Sequence, residues 1–112
     1  MMRVYISGPM SSDPDYMSKF TKADQFLRNQ GYHVANPAEL YRSLPDDATY
    51  EELLTLDLHI LDLCDVLVQL PGWEKSCGAN REYGYALAMD KLIVDYALIK
   101  NDDKHISGKE TE

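Results

Sequence analysis

The run that decides the fold is Val66-Leu67-Val68-Gln69-Leu70, which is apolar at four of its five positions. A strand with one face in water alternates apolar and polar residues, whereas a parallel strand covered on both faces is apolar throughout. The run therefore predicts a central parallel strand that has helices packed on both sides of its sheet.

Shorter β-rich runs and helical patterns alternate along the rest of the chain. The β-rich runs are Val4–Ser7, Tyr32–Ala35 and Leu92–Val94. The first helical pattern begins at Asp13-Pro14 and ends at Gly31. The second begins at a capping box formed by Thr49 and Glu52 and runs to about Leu63. The third covers Gly78–Asp90. Residues 38–48, which include Pro45, are predicted as a loop.

This alternation predicts an α/β fold with right-handed crossovers. We expect a single-domain, flavodoxin- or Rossmann-like three-layer sandwich with a four- to five-stranded parallel sheet over residues 1–98, and a polar tail over residues 99–112. Such sheets bind ligands beyond the carboxyl ends of their strands. The loops Gly8–Ser12, Asn36–Leu40 and Pro71–Ser76 should therefore meet at the site. The sequence has no Walker A motif and no dinucleotide fingerprint.

Composition limits the classes of partner. The 112 residues carry a net charge of -8, which repels phosphate backbones and predicts no nucleic-acid polymer as partner. A single phosphate is still compatible, because backbone N–H groups at a helix start can hold it. Cys64 and Cys77 match no zinc motif and are interpreted as reduced thiols. No run approaches the roughly 20 apolar residues that span a bilayer, and no signal peptide is evident, so we expect a cytoplasmic protein without membrane contact.

Glu82 is the most informative candidate for chemistry. It lies near the start of the third predicted helix, on the side shared with Ala79 and Ala86. The helix dipole should keep its carboxylate ionised there, and an ionised carboxylate at the edge of an apolar sheet is a plausible nucleophile toward an acetal carbon. Spacing alone favours a simpler interpretation, in which Glu82 is a solvated residue of the helix start.

Two segments resemble the nucleoside 2-deoxyribosyltransferases: Gly78-Ala79-Asn80-Arg81-Glu82-Tyr83-Gly84-Tyr85-Ala86-Leu87 and Tyr5-Ile6-Ser7-Gly8-Pro9. The resemblance implies that Glu82 is the catalytic nucleophile and that the Tyr5 hydroxyl orients it; packing alone would also explain a strand tyrosine. Gly84 and Ala86 would let the helix lie close to the sheet. Residues lining the sugar or phosphate site would be Ser7, Gly8, Pro9 and the backbone from Met10 to Ser12.

Asp57 lies in the middle of an apolar helix, where an aspartate is unfavourable by propensity. The resemblance implies that it contacts or protonates the leaving base. A surface aspartate on a polar stripe with Asp62 is the equally open alternative. His59 is a weak catalytic candidate, because it points to another face of the helix.

The loop before Glu82 bears on the substrate. Ser76 and Gly78 stand at the offset at which the related 2′-deoxynucleoside 5′-monophosphate N-glycosidases carry a phosphate-binding serine, although Ser76 also has a structural explanation as a helix N-cap. The stretches Asn36–Leu40 and Leu70–Glu74 resemble small phage- and prophage-type members of the superfamily. Asn36 is then a substrate-binding candidate, and Trp73 either stacks on a base or packs on a partner subunit.

The resemblance implies cleavage of the N-glycosidic bond of a 2′-deoxynucleoside or its 5′-monophosphate, through a covalent glutamyl–deoxyribose intermediate. Asp57 or a water protonates the base, and neither metal nor organic cofactor is required. Hydrolysis is favoured over base transfer, because Lys104–Gly108 does not match the C-terminal residues with which transferases complete a neighbouring subunit's site. A homodimer is expected, with Tyr83 and Tyr85 as candidate interface residues.

Two other functions fit the same fold, because a fold does not determine an activity. One is a non-catalytic nucleotide-binding or regulatory module, which would bind a ligand without turnover. The other is a flavin-binding, flavodoxin-like protein, although the first loop lacks the expected Ser/Thr-rich phosphate signature and a yellow colour would reveal the flavin.

Overall fold

The computed structural model describes residues 1–101 and residue 106. Four parallel strands form one sheet: β1 (Arg3–Ser7), β2 (His33–Ala35), β3 (Val66–Gln69) and β4 (Leu92–Asp95). Their order across the sheet is β2-β1-β3-β4. The predicted central run is β3, and all four of its residues are buried. The α/β class and the parallel sheet are therefore confirmed, with four strands.

Five helices in the described residues cover the sheet: α1 (Tyr16–Asn29), α2 (Pro37–Leu40), α3 (Tyr50–Asp62), α4 (Cys77–Ala88) and α5 (Tyr96–Asn101). One face of the sheet packs against α1 and α5 through a core that includes Val4, Ile6, Phe20, Val68 and Tyr96. The other face packs against α3 and α4 through Tyr5, Leu61, Cys64, Leu67 and Ala86. Alternate residues of β1 and β3 therefore point into different cores, which produces the three layers.

Two local predictions were wrong. Helix α1 begins at Tyr16 rather than at Pro14, because the Asp13 carboxylate accepts the Asp15 N–H at 2.9 Å and forms a turn before the helix. The predicted loop over residues 38–48 contains the end of α2 and a 3-10 turn at Tyr41–Ser43. The reason lies in the Asn-Pro pair before it: the Asn36 side chain caps α2 by accepting the Ala38 N–H at 3.1 Å, and proline fits the first helical turn.

The capping box before α3 is confirmed. The Thr49 hydroxyl accepts the Glu52 N–H at 3.1 Å, and the Glu52 carboxylate accepts the Thr49 N–H at 2.8 Å. This reciprocal pair satisfies two N–H groups that the helix itself leaves without partners. The position of α3, and of the Asp57 side chain on it, is thereby fixed from its first turn.

Two residues of the predicted polar tail, residues 99–112, are apolar and buried in the core. Helix α5 continues to Asn101, and Ile99 and Ile106 are buried in the core beside α1. The Ile106 N–H also donates to the Tyr32 hydroxyl at 2.6 Å. Burial of these isoleucines removes apolar surface from water, which explains why they join the core. Residues 102–105 and 107–112 lie outside the described residues, so the domain boundary at 98 stays a prediction.

No helix in residues 1–101 combines the length and the apolar character needed to cross a membrane.

Candidate active site

Glu82 is buried, and strand β1 holds both oxygens of its carboxylate. The Tyr5 hydroxyl donates to Oε2 and the Ser7 hydroxyl donates to Oε1, each at 2.6 Å. Tyr5 and Ser7 are themselves almost fully buried. Because a buried carboxylate needs partners for both oxygens, these two hydroxyls allow Glu82 to lie against the end of the sheet.

The arrangement follows from the local periodicities of the two elements. Tyr5 and Ser7 are two positions apart on a strand and so point to the same face. Ala79, Glu82 and Ala86 share one face of α4 and are all buried. Gly84 does not belong to that face: it is exposed, and an added Cβ would have no neighbour within 4 Å. The expectation that Gly84 allows close approach to the sheet is therefore wrong, and the alanines have that role.

Burial governs the charge state of Glu82. It raises the pKa of this carboxyl group to about 7, and the nearby Asp57 carboxylate raises it too, while the Ser7 and Tyr5 hydroxyls lower it. The expectation that the helix dipole keeps Glu82 ionised is wrong in this respect. Glu82 is the sixth residue of α4, beyond the first turn in which the dipole acts strongly. Glu82 therefore holds a proton more readily than a solvated glutamate does.

Asp57 is buried as well, which contradicts the interpretation of a surface aspartate. Its Oδ2 accepts a hydrogen bond from the Tyr41 hydroxyl. Its Oδ1 is buried and has no hydrogen-bond partner in the described structure. Burial raises the pKa of the Asp57 carboxyl group to about 6, while the hydrogen bond from Tyr41 lowers it and the nearby Tyr5 and Glu82 side chains lower it too. Two carboxyl groups with raised pKa values thus lie side by side in one pocket.

A cavity of about 280 Å³ opens between these carboxyl groups and the surface. That volume is near the lower end of the roughly 300–1,000 Å³ typical of small-molecule sites. Its wall includes eight of the predicted site residues: Gly8, Met10, Ser11, Ser12, Asp57, Ser76, Gly78 and Glu82. These come from the loop after β1, from α3 and from the start of α4, and Pro37, from the segment Asn36–Leu40, lines the wall as well. All three predicted loops and α3 therefore converge at the carboxyl end of the sheet, as expected.

The other predicted residues lie outside the cavity wall. Tyr5 and Ser7 contact Glu82 from beneath. Asn36 is buried, donates to the Asp24 carboxylate at 3.0 Å and caps α2, which is a structural position. Trp73 packs against Tyr83, with ring centroids 4.9 Å apart.

Pro9 lies beside Gly72, whose added Cβ would be 3.3 Å from the proline ring. Gly72 and Gly8, the residue before Pro9, are glycines for different reasons. Gly72 has a φ of 88°, a left-handed conformation that favours glycine. Gly8 has no room for a side chain, because an added Cβ would lie 2.8 Å from the Leu70 Cβ.

Several wall residues were not found from the sequence. They are the tyrosines Tyr41 and Tyr50, the apolar residues Leu53 and Leu54, and the polar residues Lys75 and Cys77. The helical spacing of Asp57 from Leu53 and Leu54 was a usable signal, because residues three and four apart share a face. Tyr41 had no such signal, since it lies on a 3-10 turn that follows a four-residue helix.

The start of α4 forms the polar end of the cavity. The Ser76 hydroxyl accepts the Ala79 N–H at 3.2 Å, so Ser76 is the N-cap as the structural interpretation predicted. Its hydroxyl hydrogen is free of that bond and can be donated elsewhere. Lys75, an exposed basic residue, also lines this end. Backbone N–H groups at a helix start and a nearby cation are the usual environment for an anion.

Tyr83 and Tyr85 make contacts within the chain: Tyr83 with Trp73, and the Tyr85 hydroxyl with the Asp62 carboxylate at 2.8 Å. Their role in a dimer stays a prediction. Cys64 is buried, and Cys77 is exposed; both are free thiols. In the described part of the chain, no group of three His, Cys, Asp or Glu side chains could hold a metal ion.

Fold and cavity together define an α/β protein with a buried pair of carboxyl groups at the ligand-binding edge of its sheet. The family described as "Domain of unknown function (DUF4406)" matches residues 2–95, and the chain belongs to this family. No curated protein matches the chain.

Solved structures share the fold at low sequence identity. A 2-deoxyribosyltransferase from Bacillus psychrosaccharolyticus superposes with a TM-score of 0.68 and 19% identity, over 83% of this chain and 70% of that enzyme. A 2-desoxiribosyltransferase from Leishmania mexicana superposes with a TM-score of 0.65 and 19% identity, over 85% of this chain and 63% of that enzyme. At this identity the likeness shows a common fold, and the chain is shorter than both enzymes.

Proposed function

We propose that this protein cleaves the N-glycosidic bond of a 2′-deoxynucleoside or its 5′-monophosphate, with Glu82 as the nucleophile. The observation that carries the proposal is the Glu82 carboxylate itself, which is buried at the cavity wall and held by the Tyr5 and Ser7 hydroxyls at 2.6 Å. A carboxylate is an expensive group to bury. Burial beside a second carboxyl group in a cavity is typical of functional sites rather than of structural ones.

In the first step a Glu82 oxygen forms a bond to C1′ of the deoxyribose as the bond from C1′ to the base nitrogen breaks. The electron pair of the broken bond goes to the base, and the base takes a proton from Asp57. The transition state has oxocarbenium character, and the product is a glycosyl ester of Glu82. Burial raises the pKa of Asp57 as well as that of Glu82, so the adjacent pair retains a proton toward neutral pH. The reaction uses the form in which Asp57 carries this proton and Glu82 is ionised.

In the second step a water oxygen forms a bond to C1′ and the ester bond to Glu82 breaks. The water proton returns to Asp57, which acts as base in this direction, and the free carboxylate of Glu82 is restored. We favour water over a second base as the acceptor, because the sequence of residues 104–108 does not match the acceptor-site segment of the transferases. Two attacks at one carbon give retention of configuration.

The shape and charge of the cavity suit a nucleotide. Its apolar side contains Met10, Leu53 and Leu54, against which a base can lie, and its polar end contains Lys75 and Ser76 at the start of α4. A 5′-phosphate would offset the desolvation of this polar end, because it accepts hydrogen bonds from the helix N–H groups and from the serine hydroxyl. We therefore favour the monophosphate over the nucleoside, while the net charge of -8 opposes longer nucleic acids.

The test is to incubate the purified protein with each deoxynucleoside and each deoxynucleoside 5′-monophosphate and to quantify free base by chromatography. Glu82→Ala should abolish release. Glu39→Ala is a matched control, because Glu39 is an exposed glutamate that pairs with Arg42 at 3.4 Å, away from the cavity wall. Ligand binding without release from any substrate would contradict the proposal and favour a nucleotide-binding module.

A further inference from the structure

The two oxygens of the Asp57 carboxyl group have different surroundings. Oδ2 accepts the hydrogen of the Tyr41 hydroxyl. Oδ1 is buried without a partner, although Asp57 contributes to the cavity wall. A buried oxygen with no partner destabilises the fold, and native structures rarely keep one without a use. A bound ligand is the natural partner for Oδ1.

We infer that Tyr41 is a positioning residue for Asp57, which reserves Oδ2 for its own hydroxyl and leaves Oδ1 to exchange a proton with the leaving base. The inference rests on the proposed function, since it concerns the acid of that reaction. Tyr41 itself need not touch the reacting atoms. It acts on the reaction through the carboxyl group that it holds.

The location of the proton follows from the donor count. A tyrosine hydroxyl has one hydrogen, and that of Tyr41 is directed at Oδ2. A protonated Asp57 would therefore carry its own hydrogen on Oδ1, because a hydrogen on Oδ2 would face the tyrosine hydrogen. Without Tyr41 the proton would be shared between the two oxygens and the carboxyl group would be free to rotate. The tyrosine thus makes the acid directional.

Contacts at the start of α2 anchor the turn that carries Tyr41. The Asn36 amide donates to Asp24 on α1 at 3.0 Å and accepts the Ala38 N–H at 3.1 Å, which anchors the start of α2. Tyr41 follows directly, and its carbonyl accepts the Leu44 N–H at 3.1 Å in the 3-10 turn. Asn36 therefore helps to hold the turn that carries Tyr41.

The titratable groups that face Asp57 are Tyr41 from this turn, Tyr5 from β1 and Glu82 from α4. Lys75 lies on the wall of the same cavity. The Tyr41 hydrogen bond lowers the pKa of Asp57, because it stabilises the carboxylate form. Removal of the hydroxyl should therefore raise the pKa of Asp57 and move the pH at which the acid loses its proton upward.

The test compares two leaving groups with the variant Tyr41→Phe. The first substrate is 2′-deoxyguanosine 5′-monophosphate, whose base needs a proton to leave, and the second is its 7-methyl derivative, whose cationic base leaves without one. Loss of a directed acid should slow the first substrate roughly tenfold, through kcat more than KM, and leave the second within about twofold. Asp57→Asn should show the same selectivity with a larger loss, about 100-fold.

Tyr85→Phe is the matched control. Its hydroxyl also donates to an α3 aspartate, Asp62, at 2.8 Å, but neither residue belongs to the cavity wall. We expect this variant to keep both rates. Equal slowing of both substrates by Tyr41→Phe, or no slowing of either, would overturn the inference, because a structural role does not distinguish leaving groups.

A second readout separates this inference from the proposed function. If the wild-type protein releases base from no deoxynucleoside and no deoxynucleoside 5′-monophosphate, the proposed function fails. The titration of Asp57 can still be followed by carboxyl ¹³C NMR, with the Asp57 signal assigned from Asp57→Asn. A higher pKa of Asp57 in Tyr41→Phe, with no change in Tyr85→Phe, supports the positioning contact. An unchanged pKa overturns it.

Discussion

Tyr5 and Glu82 are 77 positions apart in the sequence, and the tyrosine hydroxyl donates a 2.6 Å hydrogen bond to Oε2 of the glutamate. Ser7, two residues further along the same strand, donates to the other oxygen. A single strand therefore fixes the orientation of the carboxylate before any ligand arrives. Such preorganisation is the condition for an efficient nucleophile, because no reorganisation is needed in the transition state.

Removal of the Tyr5 hydroxyl should weaken the nucleophile in a pH-dependent way. Its hydrogen bond lowers the pKa of Glu82, so Tyr5→Phe should raise that pKa and shift the rising limb of the activity profile to higher pH. The loss of one hydrogen bond to a charged group predicts roughly a tenfold fall in kcat at pH 7. A rate profile measured from pH 5 to 9 tests this. A fall in rate without any shift of the limb would show that the hydroxyl does not control ionisation of Glu82.

Burial of Glu82 predicts that the fold loses stability as the pH rises. The pKa of Glu82 is raised from 4.5 to about 7, so the folded protein keeps a proton that the unfolded chain loses between these values. The stabilisation is fully present below pH 4.5 and is lost as the pH rises through 7. Asp57 acts in the same direction between 3.8 and about 6.

The variant Glu82→Gln has no ionisable group at this position, so it should not lose stability through Glu82 as the pH rises. At pH 8 we expect its unfolding midpoint to exceed that of the wild type by about 4–8 °C, which corresponds to ~1 kcal/mol in a domain of this size. At pH 5 the two midpoints should be close. Thermal unfolding at both pH values checks the prediction, and parallel curves for the two proteins would contradict it.

Two glycines should respond in opposite directions to substitution by alanine. An added Cβ at Gly8 would lie 2.8 Å from the Leu70 Cβ, so Gly8→Ala should force the loop after β1 away from β3 at a cost of about 1–3 kcal/mol. Gly84→Ala adds its methyl group to open space on α4 and should stabilise the helix by roughly 0.5–1 kcal/mol. Chemical denaturation of both variants measures the difference. If Gly8→Ala were as stable as Gly84→Ala, the loop after β1 would accommodate the added methyl group without loss of stability.

Ser76 has two roles that one substitution can separate. Aspartate is as good an N-cap as serine, so Ser76→Asp should keep α4 intact, but its charge should repel a phosphate at the same place. We expect KM for the preferred 5′-monophosphate to rise at least about tenfold, and KM for the corresponding nucleoside to stay within about twofold. Steady-state kinetics on the two substrates, with a thermal unfolding control, would decide it. An equal change in KM for both substrates would contradict a phosphate-binding role of Ser76.

The sequence was sufficient for the sheet and for the position of Glu82. The apolar run at β3 and the periodicity of α4 are strong signals, since burial on both faces and a shared helix face leave regular patterns. The resemblance then pointed to Tyr5, which lies against Glu82. Ser7 was expected to line the ligand site and instead lies beneath the carboxylate, although the two-residue spacing from Tyr5 was available as a signal.

The rest of the site depended on tertiary contacts that no local pattern records. The four residues of α2 are too few for a periodic signal, so Tyr41 was not found. Burial also decides the charge state of Glu82, and the dipole argument omitted it. Asn36 and Trp73 were placed in the correct loops, but their side chains bind other parts of the chain, because a loop position does not determine a side-chain direction.

The most direct test of the central claim is to trap the covalent intermediate on Glu82. A 2′-fluoroarabino analogue of the best substrate destabilises the oxocarbenium-like transition states and should slow breakdown of the ester. We predict that intact-protein mass spectrometry shows one added fluorodeoxyribosyl group, that peptide mapping locates it on Glu82, and that Glu82→Ala acquires none. Base release from the natural substrate with inverted configuration at C1′, or an adduct on another residue, would contradict the account.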